Sequence, residues 1–277
     1  MSSQKTLLIT GISSGFGRAL AVAALEAGHR VVGTARHAQA VADFEALAPG
    51  RAWGHVLDVT DTDAIAPMVS AAEAQTGGID VLVNNAGYGH EGVMEESPLA
   101  DMRRQFEVNV FGAVAMMKAV LPFMRARRRG HLINITSMGG HITMPGISYY
   151  CGSKFALEGI SASLGQELKP LGIAVTAVAP GSFRTDWAGR SMARSPRTIA
   201  DYDAVFDPVR KAREDKHGKQ LGDPAKAAQA MLALVAMPQP PAHLLLGSDA
   251  LQLVRAGQAA LAQEILAHEA LSRSTDG

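Results

Sequence analysis

Residues 5–27 read KTLLITGISSGFGRALAVAALEA. Lys5–Thr10 carries Leu7-Leu8-Ile9 without polar alternation, which predicts a short strand buried on both faces. The Ala/Leu-rich run that follows, to about Ala27, predicts a helix. Between them lies Thr10-Gly11-Ile12-Ser13-Ser14-Gly15-Phe16-Gly17. Glycines permit the tight turn and let backbone N–H groups approach a pyrophosphate at the helix N-terminus. The spacing is G-x-x-x-G-x-G, not the better-known G-x-G-x-x-G. Its place, straight after a strand and before a helix, favours a nucleotide turn over an ordinary glycine-rich connection.

Outward from this unit the same alternation repeats. His29–Ala35, Ala52–Leu57, Asp80–Asn84, His131–Thr136 and Ile173–Ala179 are further strand-like runs rich in Val, Ile or Leu. Helical patterns fill roughly 38–47, 62–76, 99–127 and 148–170. Asp223-Pro224 opens another helix as cap plus Pro, and His243–Gly247 reads as a seventh strand. Strand–helix alternation implies right-handed crossovers, hence an α/β fold: a doubly wound, Rossmann-type, seven-stranded parallel sheet with helices on both faces. The stretch 182–222 lacks a long apolar period and is expected to be a substrate lid. Residues 248–271 read as an extra C-terminal helix. No fixed-period repeat, linker or composition break is visible, so residues 1–277 are expected to form one domain.

Composition narrows the function classes. The chain has 277 residues, 47% hydrophobic and 19% charged, with zero formal net charge. That balance argues against nucleic acid or an anionic membrane as the main partner. The single Cys151 cannot form an internal disulfide, which fits a reducing compartment. Only three apolar residues follow the polar N-terminus, so no secretory signal is seen, and no apolar run approaches the roughly 18 residues that span a membrane. The expectation is a soluble, cytoplasmic protein. The nine His show no HxxxH or HxH spacing, so no metal site is expected. Arg125-Ala126-Arg127-Arg128-Arg129 ends a helix, where cations suit the dipole.

Two features carry chemistry. Tyr150 and Lys154 lie four apart, on one face of a predicted helix. An ammonium so placed stabilises a phenolate, so the Tyr pKa is expected to fall toward physiological pH. Ser137, thirteen positions earlier (150 − 137), has enough chain to bring its hydroxyl to the same substrate oxygen. The second strand ends in Thr34-Ala35-Arg36-His37, without the carboxylate that would bond a ribose 2′-hydroxyl. Arg36 can pair with a 2′-phosphate, with Arg18 assisting, or can be a solvated loop charge; the reading favours NADP(H) over NAD(H).

Taken together, these residues resemble the short-chain dehydrogenase/reductase family over roughly 5–185, with a continuation to 250. Thr10–Gly17 matches its TGxxxGxG turn, with Gly11, Ser13, Ser14, Gly15, Phe16 and Gly17 at the cofactor. Asp58-Val59 matches its adenine-contacting position, and Asn84-Asn85-Ala86-Gly87 its NNAG stretch. Asn109 matches its helix Asn, and Pro180-Gly181 with Thr185 its PGxxxT segment. The resemblance implies a tetrad of Asn109, Ser137, Tyr150 and Lys154. It implies that Tyr150 exchanges the oxygen-bound proton and that Lys154 lowers the Tyr pKa and holds the nicotinamide ribose. It further implies that Ser137 bonds the substrate oxygen, that Asn109 holds a relay water, and that Thr185 holds the carboxamide. Outside the resemblance, Asn109 can also be a helix-bend residue and Asn84 and Asn85 turn formers, while Cys151 reads as a small buried filler rather than a nucleophile.

The substrate signal is thinner. Met138, Met144, Phe183 and Trp187 join Ser137 and Tyr150 as an expected apolar pocket wall, although such residues also pack a lid onto a sheet. His141 or His90 is a further candidate contact. The residues imply an NADP(H)-dependent reductase of a medium-sized, largely apolar ketone or aldehyde. The alternatives are an NAD-dependent alcohol dehydrogenase working oxidatively and a non-catalytic NADPH-sensing module. By the family resemblance, a homodimer or homotetramer forms through the helices at about 99–127 and 148–170.

Overall fold

The computed structural model describes residues 4–189 and 191–277. The strands are β1 (Thr6–Thr10), β2 (Arg30–Ala35), β3 (Ala52–Val56), β4 (Val81–Asn84), β5 (Gly89–Glu91), β6 (Gly130–Ile135), β7 (Ile173–Pro180), β8 (Met192–Arg194) and β9 (His243–Leu246). Seven of them form one parallel sheet in the order β3-β2-β1-β4-β6-β7-β9. The helices are α1 (Gly15–Glu26), α2 (Ala38–Glu45), α3 (Thr62–Thr76), α4 (Leu99–Phe106), α5 (Gly112–Arg127), α6 (Ser148–Leu168), α7 (Asp203–Lys216), α8 (Pro224–Ala236), α9 (Ser248–Ala267) and α10 (Glu269–Arg273). The doubly wound sheet expected from the alternation is therefore the fold.

Every residue of β1 is buried, and its successive side chains enter opposite cores. Leu7 and Ile9 pack with Leu20 and Ala24 of α1 and Met231 and Leu234 of α8. Leu8 packs on the other face with Ile65 and Val69 of α3 and Met116 and Val120 of α5. A strand that must satisfy two apolar layers cannot alternate with polar residues, which is why these runs are continuously apolar. Strand order reverses between β1 and β4, so the turn after β1 and the segment after β4 face one crevice.

Two regions depart from expectation. The stretch 182–222 is more regular than its sequence suggests. It contains β8, α7, and 3₁₀ turns at Asp186–Ala188 and Ala200–Tyr202. β8 pairs in parallel with β5 in a separate two-stranded sheet. The helix Leu99–Arg127 is long and apolar enough to cross a membrane by length and composition, contrary to the expectation of no such run. Its face bearing Met116, Met117, Val120 and Met124 is buried in the core.

Candidate active site

The glycine turn is held by its neighbours. The Gly11 and Ile12 N–H groups donate to Thr34 O, tying the turn to β2. Asn85 Nδ2 donates to Thr10 O and Gly11 O, and the N–H groups of Asn85 and Ala86 donate to Thr10 Oγ1. Gly11 and Gly15 have positive φ, which a side chain rarely adopts. A Cβ on Gly17 would sit 2.3 Å from Gly11 O and 2.4 Å from Asn85 Nδ2, so only glycine lets the helix start this close to the turn. No side chain caps α1, for Ser14 at its N-cap makes no cap hydrogen bond. The first amides of α1 thus face the crevice without intrahelical partners, as an anion site requires.

Around this turn stand the other expected cofactor residues. Arg36 is exposed directly after β2, with no side-chain partner among the described residues. Asp58 is exposed, and its Oδ1 accepts from the Thr60 N–H and hydroxyl. Val59 is buried against Gly112, where a Cβ would meet its side chain at 2.8 Å. Gly87 lies beside Asn109, 3.1 Å from Oδ1 at its Cβ position. Thr185 approaches the Cβ position of Gly15 at 3.8 Å, so the lid root meets the turn. Pro180-Gly181 ends β7, and a Cβ on Gly181 would meet Asp249 Oδ1 at 2.2 Å. The uncapped helix start, the glycine cradle and the free guanidinium fit a dinucleotide phosphate.

Ser137, Tyr150 and Lys154 converge across the switch point. Ser137 ends the turn after β6, and Tyr150 and Lys154 lie one turn apart on α6. One point, the Cβ position of Gly139, is 3.4 Å from both Ser137 Oγ and Tyr150 Cε1. Lys154 is buried; its Nζ donates to Ile135 O at 2.8 Å and lies 5.8 Å from the Tyr150 ring centroid. Burial pushes its ammonium down to about 8, against the raising influence of Glu158.

The expected fall in the Tyr150 pKa is not what this arrangement produces. Burial raises it, outweighing the Ser137 and Trp187 hydrogen-bonding groups that favour the phenolate. The physical reason is desolvation: the phenol is buried, and the Lys154 ammonium, which donates to Ile135 O and lies 5.8 Å from the ring centroid, does not offset it.

Asn109 sits in a π turn, Glu107–Phe111, that joins α4 to α5. Its Oδ1 accepts from the Tyr88 N–H, and its Nδ2 donates to Tyr88 O and Ser153 Oγ. The amide therefore clamps the segment after β4 onto α6, and the side chain is fully committed. Asn84 does similar work deeper down, donating to Asn134 Oδ1 and Ala113 O.

The expected substrate residues separate into two places. Met144 and Trp187 pack with Ile147, Tyr150 and Cys151, and the Tyr150 and Trp187 rings lie 5.0 Å apart. The Trp187 Nε1 is buried without a well-formed hydrogen bond. Met138 is half-buried in the 3₁₀ corner after Ser137. Phe183 instead packs edge-on against Phe16, at the glycine turn. His90 is buried against Tyr149 and reaches Ser195 Oγ at 3.0 Å, so it fastens the lid. His141 faces Glu158. Cys151 is buried, as expected of a filler.

Two functional neighbours escaped the sequence reading. Asp249 Oδ2 accepts from the Ser182 N–H and so fixes the lid root. Glu158 lies one turn beyond Lys154, buried. Neither belongs to a local motif; each acts on residues that are distant along the chain.

A pyrophosphate cradle and a Tyr–Lys–Ser group at the switch point of one parallel sheet define a dinucleotide-dependent oxidoreductase. Comparison with known proteins agrees. The profile of the short chain dehydrogenase family matches residues 5–195. The chain is 37% identical to Oxidoreductase BOA17 of Botryotinia fuckeliana over 92% of this chain and 93% of that protein. It is 37% identical to 3-ketodihydrosphingosine reductase of Bacteroides thetaiotaomicron, over 87% of each. A short-chain dehydrogenase structure from Streptomyces avermitilis superimposes with a TM-score of 0.93 at 40% identity, over 99% of this chain and 100% of that one. ElxO with NADP bound gives 0.74 at 25% identity, over 90% and 100%. A Burkholderia phymatum enzyme in complex with NAD gives 0.79 at 25%, over 91% and 92%. The chain belongs to the short-chain dehydrogenase family.

Proposed function

We propose that this protein is an NADP(H)-dependent oxidoreductase interconverting a carbonyl and a secondary alcohol, working toward reduction of a medium-sized, largely apolar ketone or aldehyde. The observation that carries the cofactor choice is Arg36: an unpartnered, exposed guanidinium at the end of β2, where an NAD-selective acid would stand. The NADP held by ElxO supports it. The apolar wall of Met144, Ile147 and Trp187 beside Tyr150 supports the substrate class, as does the keto substrate named for the Bacteroides relative.

The nicotinamide, when bound, supplies the hydride that reaches the carbonyl carbon. Tyr150 holds its proton at neutral pH because burial raises its pKa, so it enters the reaction as the acid that protonates the carbonyl oxygen. Ser137 donates a hydrogen bond to the same oxygen as negative charge develops there. Lys154, 5.8 Å from the Tyr150 ring centroid, stands where its charge offsets part of the cost of the phenolate left behind. Trp187 and Met144 exclude water from the phenol.

Fluorescence titration of wild type and Arg36→Ala with NADPH and NADH tests the reading. Wild type is expected to prefer NADPH, and the variant to lose about tenfold or more of that preference, the worth of a charged pair to phosphate. Preference of the wild type for NADH would reject it.

A further inference from the structure

The nine histidines carry no metal-binding spacing along the chain, yet the fold gathers two of them on one carboxylate. Glu158 is buried on α6 between the corner after Ser137 and the edge strand β9. Its Oε1 lies 3.2 Å from His141 Nε2, and its Oε2 lies 2.9 Å from His243 Nδ1. The Thr136 hydroxyl donates to Oε1 at 2.5 Å. Among the described residues no Lys or Arg side chain lies within ion-pair distance of this carboxylate, and the Lys154 ammonium one turn away feels its charge.

We propose that His141, Glu158 and His243 form a binding site for one zinc ion. Three donor atoms, one from each residue, lie within 4.8 Å of one another. Two imidazoles and one carboxylate are a donor set that zinc takes, with bonds of about 2.0–2.2 Å, leaving one position for water. Tetrahedral zinc with such bonds separates its ligand atoms by about 3.4 Å. The edges of 3.2 and 2.9 Å run to different oxygens of Glu158. The widest separation in the donor set, at most 4.8 Å, has to close by up to about 1.4 Å through turning of the His side chains. The imidazole rings stand 6.0 Å apart at 76°, converging on the carboxylate rather than stacking.

A second observation points to a ligand. His141 Nε2 is buried and makes no well-formed hydrogen bond; its contact with Glu158 is close but off the hydrogen-bond direction. A ring nitrogen held 3.2 Å from a buried carboxylate without a well-aligned hydrogen bond is a donor pair that a metal can bridge. Thr136 already orients the carboxylate, as an outer partner does in metal sites. His243 is 46% exposed, which gives the ion a route from solvent and the fourth position a water. The three donors come from the Ser137 corner, the Tyr150–Lys154 helix and the last strand, so zinc there would tie three separate parts of the chain together.

Equilibrium dialysis of tag-free protein against zinc alone tests this, with elemental analysis of the retained metal. Wild type is expected to hold one zinc per chain. His243→Ala and His141→Ala should each weaken binding by about tenfold or more, beyond even the lower end of losses from outer-sphere changes. His243 lies half in solvent, so its replacement should leave the fold intact, checked by circular dichroism. Cobalt loading is expected to give the visible d–d absorption of a four-coordinate ion, lost in Glu158→Gln. No retained zinc, or equal retention by both histidine variants, would overturn the proposal.

Discussion

Lys154 carries its charge where water does not reach it, and this makes the residue legible in a pH titration. Burial depresses its ammonium to about 8, from the 10.5 of an open chain. The unfolded chain therefore binds that proton more tightly than the native one. The cost of holding the charge inside is full below pH 8 and is relieved as pH rises to 10.5, by up to about 3 kcal/mol at 1.36 kcal/mol per pKa unit. Urea unfolding of wild type and Lys154→Met across that window checks it: wild type should gain on the variant with rising pH, and parallel curves would refute the buried charge. Tyr150 is tested by turnover. Tyr150→Phe should lower kcat by about 10²–10⁴, the range for a lost general acid, with NADPH affinity little changed. The Tyr–Lys spacing was readable because helix geometry alone places the two on one face. The Lys154 bond to Ile135 O was not, since it depends on how α6 settles over the end of β6. Asn109 was found by its place in the family pattern, but its clamp on Tyr88 follows from a π turn that no residue pattern announces.

Elements were read best where two layers compress them. The seven strands of the large sheet were anticipated within a residue at each end. For the inner strands the reason is physical, since burial on both faces keeps them largely apolar, while β3 and β9 at the edges are half-buried or exposed. α7 and β8 were missed for the converse reason. Of the α7 residues only Phe206 is buried, and its surface is charged, so periodicity has little to show. What holds this segment is long-range: Arg197 meets Glu96, Asp203 and Asp207, and Arg213 meets Glu91. At the first βα turn the constraint is steric. Gly17→Ala puts a methyl 2.3 Å from Gly11 O, in a place where backbone must move. The expected cost is about 1–3 kcal/mol, a fall in Tm of several degrees, with weakened NADPH binding. An unchanged Tm and affinity would show that the helix start has slack.

Across the whole molecule, the α4–α6 surface leaves large apolar side chains in solvent. Leu99, Phe111 and Phe155 are each more than two-fifths exposed. We read this patch as the contact between copies of the chain. Wild type is then expected to sediment as an oligomer, and Phe111→Glu, which places a charge on the patch, as a monomer, with circular dichroism unchanged. A wild type that sediments as a monomer would dismiss the contact. The family resemblance already pointed to these two helices; which of their side chains stand in solvent was not visible in the sequence, because exposure is a property of the packed chain.

The pairing of Gly89–Glu91 with Met192–Arg194 joins residues about a hundred positions apart through only three rungs of main-chain ladder. Loop closure over that span must precede any gain from it, so the ladder is expected to form after the local strand–helix units, together with the ion pairs of Glu91 to Arg194 and Arg213. Trp187, which packs on the Tyr150 ring, also lies against Gly89 of this ladder, so the cover on the phenol is joined to the small sheet and not to the large one. An opening confined to this small sheet is expected to carry its own temperature dependence, readable as amide exchange at Gly89–Glu91 and Met192–Arg194 faster than in the seven-stranded sheet.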